Sequence, residues 1–360
     1  MRTLKVMQGP SEVAGQNAYS VQGLREIGVD AESVVWKPHR FGYPYDICLG
    51  IDKDRKAKLP IFFLKAVGFF LKSLFCYSTF HFHYGHSTLD NHELSIYKIF
   101  GKKVFYEFHG LDLRDQERFC SISGIEFHKD EATSPRKHAR NRKICKKADG
   151  IIIHDDELIP YLPEKCAPVY VVPLRINVSQ FDCCPPDPDA KTIRIVHAPS
   201  KRAIKGTEYV LNAIDRLKTR YSNIELVLVE GKTQKEALKI FKTADIIVDQ
   251  LFAGTYGMFA VESMAMGKPV ITFISDTMKE RLPAELPIVS GDRDSIETVL
   301  ETLIKDSHMR NDLGIKGRAY VENYHDCKWG AYLLKDIYCG KAAPLTGREA
   351  FAKAKEMHDK

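Results

Sequence analysis

Residues 244–273 form the segment that most restricts how this chain can fold, because they read as strand, glycine-rich turn, short helix, glycine stop and second strand. The first part is an apolar, β-branched run of strand length. Gly254 and Gly257 lie in the turn, and Gly267 follows the helix where a C-terminal glycine is common. Two buried strands joined through one helix indicate a parallel α/β layer.

Glu262 lies on this short helix, about one turn beyond the glycines. A helix N-terminus preceded by glycines is suited to phosphate oxygens, because its first N–H groups are unpaired and its dipole is positive there. A carboxylate just inside the helix can accept hydrogen bonds from sugar hydroxyls. The combination indicates a nucleotide-sugar site, and its alternative is a buried turn and helix of an ordinary α/β protein.

A second strand-to-helix junction carries a cluster of cations. The apolar strand at 193–200 is followed by Lys201, Arg202, Lys205 and Gly206, and a helical pattern begins at Thr207. Cations at such a junction suit a diphosphate leaving group. The alternative, that these are solvated loop charges, fits Lys201 better than Lys205.

Together the two junctions resemble the C-terminal domain of GT-B glycosyltransferases of family 4, the retaining glycosyl transferases group 1. The matching residues are Gly257, Glu262, the Met-Ala-x-Gly-x-Pro-Val run at 264–270 and Lys205-Gly206. The resemblance implies a nucleotide-sugar donor whose diphosphate is neutralised by side-chain cations.

Two positions depart from the family pattern. The family has a first glutamate eight residues before the second, and here that position is Gly254. The basic partner of the lysine would fall at Ser200, and Arg202 is the substitute candidate. Recognition of the donor sugar is the function that the first change affects.

The N-terminal half carries weaker matches. A short strand at 4–8 precedes a loop with Gly15, which resembles the family's first glycine loop. The strand at 79–85 alternates, so His81 and His83 share one face. The strand at 104–108 leads to His109-Gly110, Asp112 and Arg114. Carboxyl ends of parallel strands are where ligands bind.

The resemblance implies roles for these residues. The catalytic set is His109, Lys205, Arg202 and Glu262; the donor-binding set is Gly15, Gly254, Tyr256, Gly257, Met258 and Glu262; the acceptor side has His83, Asp112 and Arg114. No cofactor and no metal is expected. His81, His83 and His86 are considered as zinc ligands, but the sequence offers no acidic or cysteine partner at a clear spacing.

The predicted fold is α/β, with two doubly wound Rossmann-like domains that the resemblance places across a central cleft. The expected domains are 1–184 on the acceptor side and 190–322 for the nucleotide-sugar, separated by the proline-rich stretch 183–189. A helix at 323–340 is expected to cross back, followed by a polar tail at 341–360. Nine scattered cysteines and no recognisable signal peptide predict a cytoplasmic protein.

Two segments point to an anionic membrane surface. Residues 59–75 are apolar, with Lys58, Lys65 and Lys72 seven apart, which predicts an interfacial helix rather than a membrane span; a core helix is the alternative. Residues 136–147 contain seven cations and no acid, which suits anionic lipid or a lipid-diphosphate acceptor, or a solvated helix face. A net charge of +6 without interleaved aromatics argues against nucleic acid.

The function implied is retaining transfer of a sugar to a glycan or lipid-linked acceptor, of the kind used in cell-surface polysaccharide synthesis. Two alternatives stay open. One is an inactive GT-B homologue that acts as an assembly partner, which the glycine at 254 keeps open. The other is a GT-B nucleotide-sugar epimerase.

Overall fold

The computed structural model describes residues 4–39, 41–52, 59–123, 135–344 and 347–358. The chain divides into two units, one of Met1–Arg118, Lys129–Asn177 and Cys327–Lys360, the other of Phe119–His128 and Val178–Asp326. The chain passes from the first unit to the second after Asn177, seven residues before the predicted end of the first domain at 184. The stretch 183–189 lies inside the second unit.

The first unit is built on a seven-stranded parallel sheet with the order β3-β2-β1-β4-β5-β6-β7. Its strands are β1 Lys5–Gly9, β2 Asp30–Val35, β3 Ile47–Cys48, β4 Thr79–His83, β5 Lys103–Glu107, β6 Gly150–Ile153 and β7 Val169–Val171. The order reverses between β1 and β4, which is where open α/β sheets bind ligands.

In the part of the first unit that the structure describes, five α-helices connect these strands. They are α1 Gln16–Glu26, α2 Leu59–Cys76, α3 Leu94–Ile99, α4 Gln116–Ser123 and α5 Pro135–Lys147. On β4, Phe80 and Phe82 stack on each other and pack against Tyr97 of α3, while the rings of His81 and His83 stack on the opposite face. The predicted alternation of this strand is therefore confirmed.

The second unit has a five-stranded parallel sheet with the order β12-β11-β10-β8-β9. Its strands are β8 Ile193–His197, β9 Ile224–Leu228, β10 Ile246–Val248, β11 Val270–Thr272 and β12 Val289–Ser290. Its helices are α6 Arg202–Lys205, α7 Thr207–Lys218, α8 Gln234–Phe241, α9 Met258–Ala265, α10 Asp276–Arg281, α11 Ile296–Lys305 and α12 Ser307–Tyr324. The apolar faces of α7 and α11 form a core with β8 and β10.

The chain then returns to the first unit in two further helices, α13 Cys327–Cys339 and α14 Gly347–His358. Helix α13 packs against α1, and Gly23 permits this because a Cβ there would lie 2.1 Å from the Cys327 carbonyl oxygen. In α14, Phe351 and Ala354 are buried. The segment predicted as a polar tail thus contributes an apolar helix face to the first unit.

Candidate functional site

In the second unit, Lys205 of helix α6 links the end of β10 to the turn before α9. Its Nζ lies 2.6 Å from Asp249 Oδ1 and donates a longer hydrogen bond of 3.3 Å to Gln250 Oε1. Gln250 in turn donates to the carbonyl of Thr255 at 2.6 Å, in the turn before α9. A cation is therefore fixed beside the glycine turn that precedes a helix N-terminus.

The glycines of that turn have distinct roles. Gly254 has φ +75°, and a Cβ there would meet the Ser275 side chain at 3.2 Å. The loop is therefore built around a glycine at the position where the resemblance would place the first glutamate. Gly257 precedes Met258, the first residue of α9, and a Cβ at Gly257 would meet no atom within 4 Å. Space remains there for a ligand to approach the amides of the first turn.

Glu262 is buried on α9 and accepts a hydrogen bond of 2.9 Å from Gln234 Nε2 at the start of α8. Burial raises the pKa of Glu262 to about 7, and the Gln234 hydrogen bond opposes that rise only in part. A carboxyl group with one protein partner keeps capacity for hydroxyl donors.

Tyr256, predicted for donor binding, and Arg202, predicted as catalytic, both contact other side chains. The Tyr256 hydroxyl is buried, 3.1 Å from both the Tyr320 hydroxyl and His325 Nε2, which removes it from the predicted donor contacts. Arg202 is exposed and makes a bidentate pair with Glu230 at 2.9 and 2.7 Å. Both candidate cations therefore already have a carboxylate partner, Glu230 for the exposed Arg202 and the buried Asp249 for Lys205.

In the first unit, histidines from three strand ends form a chain in which His83 is buried and His109 and His154 are partly buried. His154 Nε2 lies 2.9 Å from His109 Nδ1, and His109 Nε2 lies 3.1 Å from His83 Nδ1. His83 Nε2 continues to the side-chain oxygen of Gln8 at 2.7 Å. Burial lowers the pKa of each of the three imidazoles, that of His154 to about 4. The structure thus brings predicted His83 and His109 together as neutral rings.

Glu107 and Arg175 anchor this histidine cluster. The fully buried Arg175 guanidinium is paired with Glu107 Oε1, and His81 Nε2 lies 3.1 Å from Glu107 Oε2. Burial opposes the ionisation of Glu107, but Arg175 and His81 together hold its pKa well below the usual range. The cluster is therefore a charged pair enclosed by neutral imidazoles.

This arrangement changes the metal question. Glu107 supplies the acidic partner that the sequence did not reveal, because it groups with His81 and His83 and also with His109 and His154. Its carboxylate is already paired with Arg175, however, and a guanidinium in contact with it disfavours a divalent cation. His86 is in neither group. The expectation that no metal is needed stays a prediction.

Asp112 and Arg114, predicted for the acceptor side, each have a partner within the first unit. Asp112 accepts the His109 backbone N–H at 3.0 Å, and burial raises the pKa of Asp112 to about 6. Arg114 makes a bidentate pair with Glu157 at 2.9 and 2.6 Å, which fixes the loop rather than leaving the guanidinium for an acceptor.

Gly15 is the predicted donor contact that the structure weakens most. It has φ +84° and precedes α1, as a glycine loop should. Its N–H, however, donates to Glu12 Oε1 at 2.8 Å, and Ala18 N–H donates to Glu12 Oε2 at 3.2 Å. The Glu12 carboxyl group therefore already binds the backbone amides that a diphosphate would need.

Sequence reasoning missed Asp249, Gln250, Gln234, Glu107, His154 and Arg175. Asp249 and Gln250 directly follow β10 and His154 directly follows β6, so polar residues at the carboxyl ends of strands were the available signal. Glu107 is the last residue of β5, and in the β4–β5 register it pairs with His83. No local pattern marks Arg175 or Gln234.

Comparison with known proteins gives the fold. No family model and no curated protein matches the chain. Solved structures do: sucrose-phosphate synthase from Thermosynechococcus elongatus is 15% identical with TM-score 0.65, covering 94% of this chain and 99% of that one. HepE of Anabaena, in complex with UDP-glucose, is 11% identical with TM-score 0.62, covering 94% and 100%. A glycosyltransferase from Rickettsia africae is 12% identical with TM-score 0.61, covering 95% and 99%.

These structural likenesses, together with the two parallel sheets, establish that the chain has the α/β fold of GT-B glycosyltransferases. The predicted fold class is confirmed.

Proposed function

We propose that this protein is a glycosyltransferase that moves a sugar from a nucleotide-sugar donor to an acceptor hydroxyl with retention of the anomeric configuration. The observation that carries the proposal is in the second unit, where Lys205 is fixed through Gln250 beside the N-terminus of α9, on which Glu262 is buried. A diphosphate needs the cation and the helix amides, and a ribose needs the carboxylate.

The proposed donor is a nucleoside diphosphate sugar, with UDP-sugars as the first to be tested because HepE was solved with UDP-glucose. Lys205 and the amides following Gly257 neutralise the leaving diphosphate, and Glu262 holds the ribose. Asp249 is a positioning residue, because its buried carboxylate fixes the Lys205 ammonium. In the first unit, His109 is proposed to act as a neutral hydrogen-bonding ring for a sugar hydroxyl, held by His83 and His154.

The proposed chemistry needs no carboxylate nucleophile. The acceptor oxygen bonds to the anomeric carbon on the face from which the diphosphate departs. The bond from that carbon to the phosphate oxygen breaks, and the leaving phosphate takes the proton of the acceptor hydroxyl. Catalysis then rests on positioning and on charge neutralisation, for which the protein supplies Lys205 without a metal.

The acceptor is proposed to be a glycan or a lipid-diphosphate-linked sugar of cell-surface polysaccharide synthesis, met at the cytoplasmic face of a membrane. Helix α2 supports this location. Among its side chains, Phe62, Ala66 and Phe70 are buried, while Phe63 is 64% and Leu64 70% exposed. A helix with one face packed and an apolar face outward suits an interfacial position.

By length and composition alone α2 also meets the requirement for crossing a membrane, with mean hydropathy 1.8 and 28% of the helix buried. The prediction that its lysines exclude a span is therefore not supported by composition. Its packed face favours the interfacial position, because Phe70 meets Tyr97 of α3 in the first unit. Lys65 and Lys72 are exposed on this helix; Lys58 lies outside the described residues.

The test is acceptor-dependent release of nucleoside diphosphate. UDP-sugars are screened with membrane extract as acceptor, and the anomeric configuration of the product is read by NMR. Release together with an axial-to-axial or equatorial-to-equatorial product supports the proposal. Interconversion of the donor sugar without nucleotide release indicates an epimerase, and nucleotide binding with no turnover indicates an inactive assembly partner.

A further inference from the structure

The first unit contains a cavity of about 600 Å³ outside the histidine cluster. It is open to solvent and is lined by the loops after β4 and β5 and by the first three turns of α5. Its lining residues are Tyr84, His86, Asp90, Asn91, Leu111, Asp112, Arg136, Lys137, Ala139, Arg140 and Lys143. The volume is that of a small-molecule site rather than of a water pocket.

Arg140 is built into the wall of this cavity by neutral partners. A Cβ on Gly85 would lie 3.0 Å from the guanidinium carbon, so the glycine, at φ +68°, makes room for Arg140. Its Nη2 donates to the Asp112 carbonyl at 3.3 Å, and its Nη1 lies 3.3 Å from His86 Nε2. His86 is oriented by Asp90, which accepts from Nδ1 at 3.0 Å.

Among the described residues, two further cations at the cavity have no counter-charge. Arg136 is exposed, Lys143 is half-buried, and neither has an acidic partner within the described part of the chain. Lys137 is buried against the Leu111 carbonyl, which its Nζ contacts at 3.3 Å. The acids at the cavity are Asp90, held by His86, and Asp112, held by the His109 amide, so positive charge predominates.

We propose that this cavity binds the phosphate or diphosphate group of the acceptor. Arg136, Arg140 and Lys143 lie along the first three turns of α5 and together provide several hydrogen-bond donors. Within the described residues their positive charge exceeds the negative charge of the acids at the cavity. A phosphate ester or diphosphate supplies the matching charge and oxygens. That the bound group belongs to the acceptor rests on the proposed glycosyl transfer, whereas the binding of an anion by this cavity does not depend on it.

The first experiment measures the cavity itself. The full chain is saturated with UDP to fill the donor site and is then titrated calorimetrically with inorganic pyrophosphate. Arg136→Gln/Lys143→Gln should weaken the pyrophosphate affinity at least about tenfold, since two charge-assisted contacts are lost. UDP affinity should be unchanged in this variant.

The matched control is Arg142→Gln/Lys146→Gln, which removes two exposed cations of the same helix that do not line the cavity. This control should bind pyrophosphate within about twofold of the wild type, the change expected from a screened distant charge. Equal losses in both variants would mean that the helix acts through its diffuse field, and would overturn the assignment. Arg140→Gln with rescue by Arg140→Lys tests the third cation separately.

The source of the phosphate is distinguished by two acceptor arms. One arm uses a soluble sugar phosphate, and the other a polyprenyl diphosphate sugar in neutral phosphatidylcholine vesicles. In the Arg136→Gln/Lys143→Gln variant, the KM for the acceptor that the enzyme uses should rise, and kcat at saturating acceptor should stay nearly unchanged. If wild-type protein binds UDP but no pyrophosphate beside it, this inference fails and the proposed function stands. If pyrophosphate binds and no nucleotide does, the cavity is an anion site and the proposed function fails.

Discussion

Ionisation of Glu262 should control donor binding, and this gives the donor site a quantitative test. Burial raises the pKa of this carboxyl group to about 7 in the free protein. A carboxylate accepts hydrogen bonds from both ribose hydroxyls, whereas a protonated group loses accepting capacity and gains a hydrogen atom that competes. Donor affinity is therefore expected to fall as the pH drops through the pKa.

The size of the effect follows from the pKa. At about one pH unit below it, roughly one molecule in eleven carries the carboxylate, so affinity should be about tenfold lower than on the plateau above pH 8, or about 1.4 kcal/mol. Calorimetry with UDP-glucose between about pH 6 and 8.5 measures this. UDP itself is unsuitable because its terminal phosphate titrates with a pKa near 6.

Glu262→Gln is the control, because its amide keeps the shape of the side chain and cannot ionise. Its affinity should be independent of pH and close to the wild-type value near pH 6. Glu262→Ala should bind about 2–3 kcal/mol more weakly than wild type near pH 8, as for a charge-assisted hydrogen bond. A wild-type profile as flat as that of the glutamine variant would refute the role of Glu262 at the ribose.

Three further predictions test other parts of the proposal. Lys205→Ala should lower kcat/KM about a hundredfold; because it also leaves Asp249 buried without its cation, Lys205→Ala/Asp249→Asn should recover thermal stability but not activity. Gly254→Glu should lower Tm rather than restore a family-like site, because the glutamate would have to adopt a left-handed φ and its Cβ would press against the Ser275 side chain. Phe63→Ser/Leu64→Ser should abolish co-sedimentation with anionic vesicles at low salt and leave nucleotide binding intact; unchanged sedimentation would favour a soluble acceptor.

The alternation of apolar strands with helical patterns was enough to predict two parallel sheets, because strand burial on both faces leaves a local mark in the sequence. The edge strands β3 and β12 were not predicted, because each has only two residues and neither is fully buried. Helix α9, between the glycine turn and Gly267, was predictable for the same reason, because helix caps and periodicity are local features of the sequence.

Part of the candidate site could be proposed from the sequence. Lys205 and Glu262 lie on the short helices at two strand-to-helix junctions, and His83 and His109 lie at or just after the ends of β4 and β5, so local patterns mark these positions. Their partners are set by tertiary packing. Glu107 and Arg175, 68 residues apart, meet only because β5 lies inside the sheet and the loop after β7 turns back over it. Likewise, Glu12 reads as a loop acid until the structure shows it capping α1.

The neutral histidines of the first unit predict that this unit unfolds in mild acid. Burial lowers the pKa of His81, His83, His109 and His154 below the value of about 6.5 that each has in an unfolded chain. Between about pH 6.5 and the lower folded values, only the unfolded state takes up these protons. Stability is therefore present above that window and is lost as the pH falls into it.

Each such histidine contributes a slope of about 1.4 kcal/mol per pH unit, so four give at most about 5 kcal/mol per pH unit. Glu107 adds to the loss only below about pH 4.5, because its folded pKa is depressed from there. Hydrogen exchange of the β4, β5 and β6 amides reads the stability of this unit without requiring two-state unfolding of the whole chain. His154→Gln should reduce the slope by one proton, while His92→Gln, at an exposed position of the same unit, should leave it unchanged. A wild-type slope of one proton or less would show that these imidazoles are solvated or charged in the folded protein, and the neutral ring proposed for His109 would then be wrong.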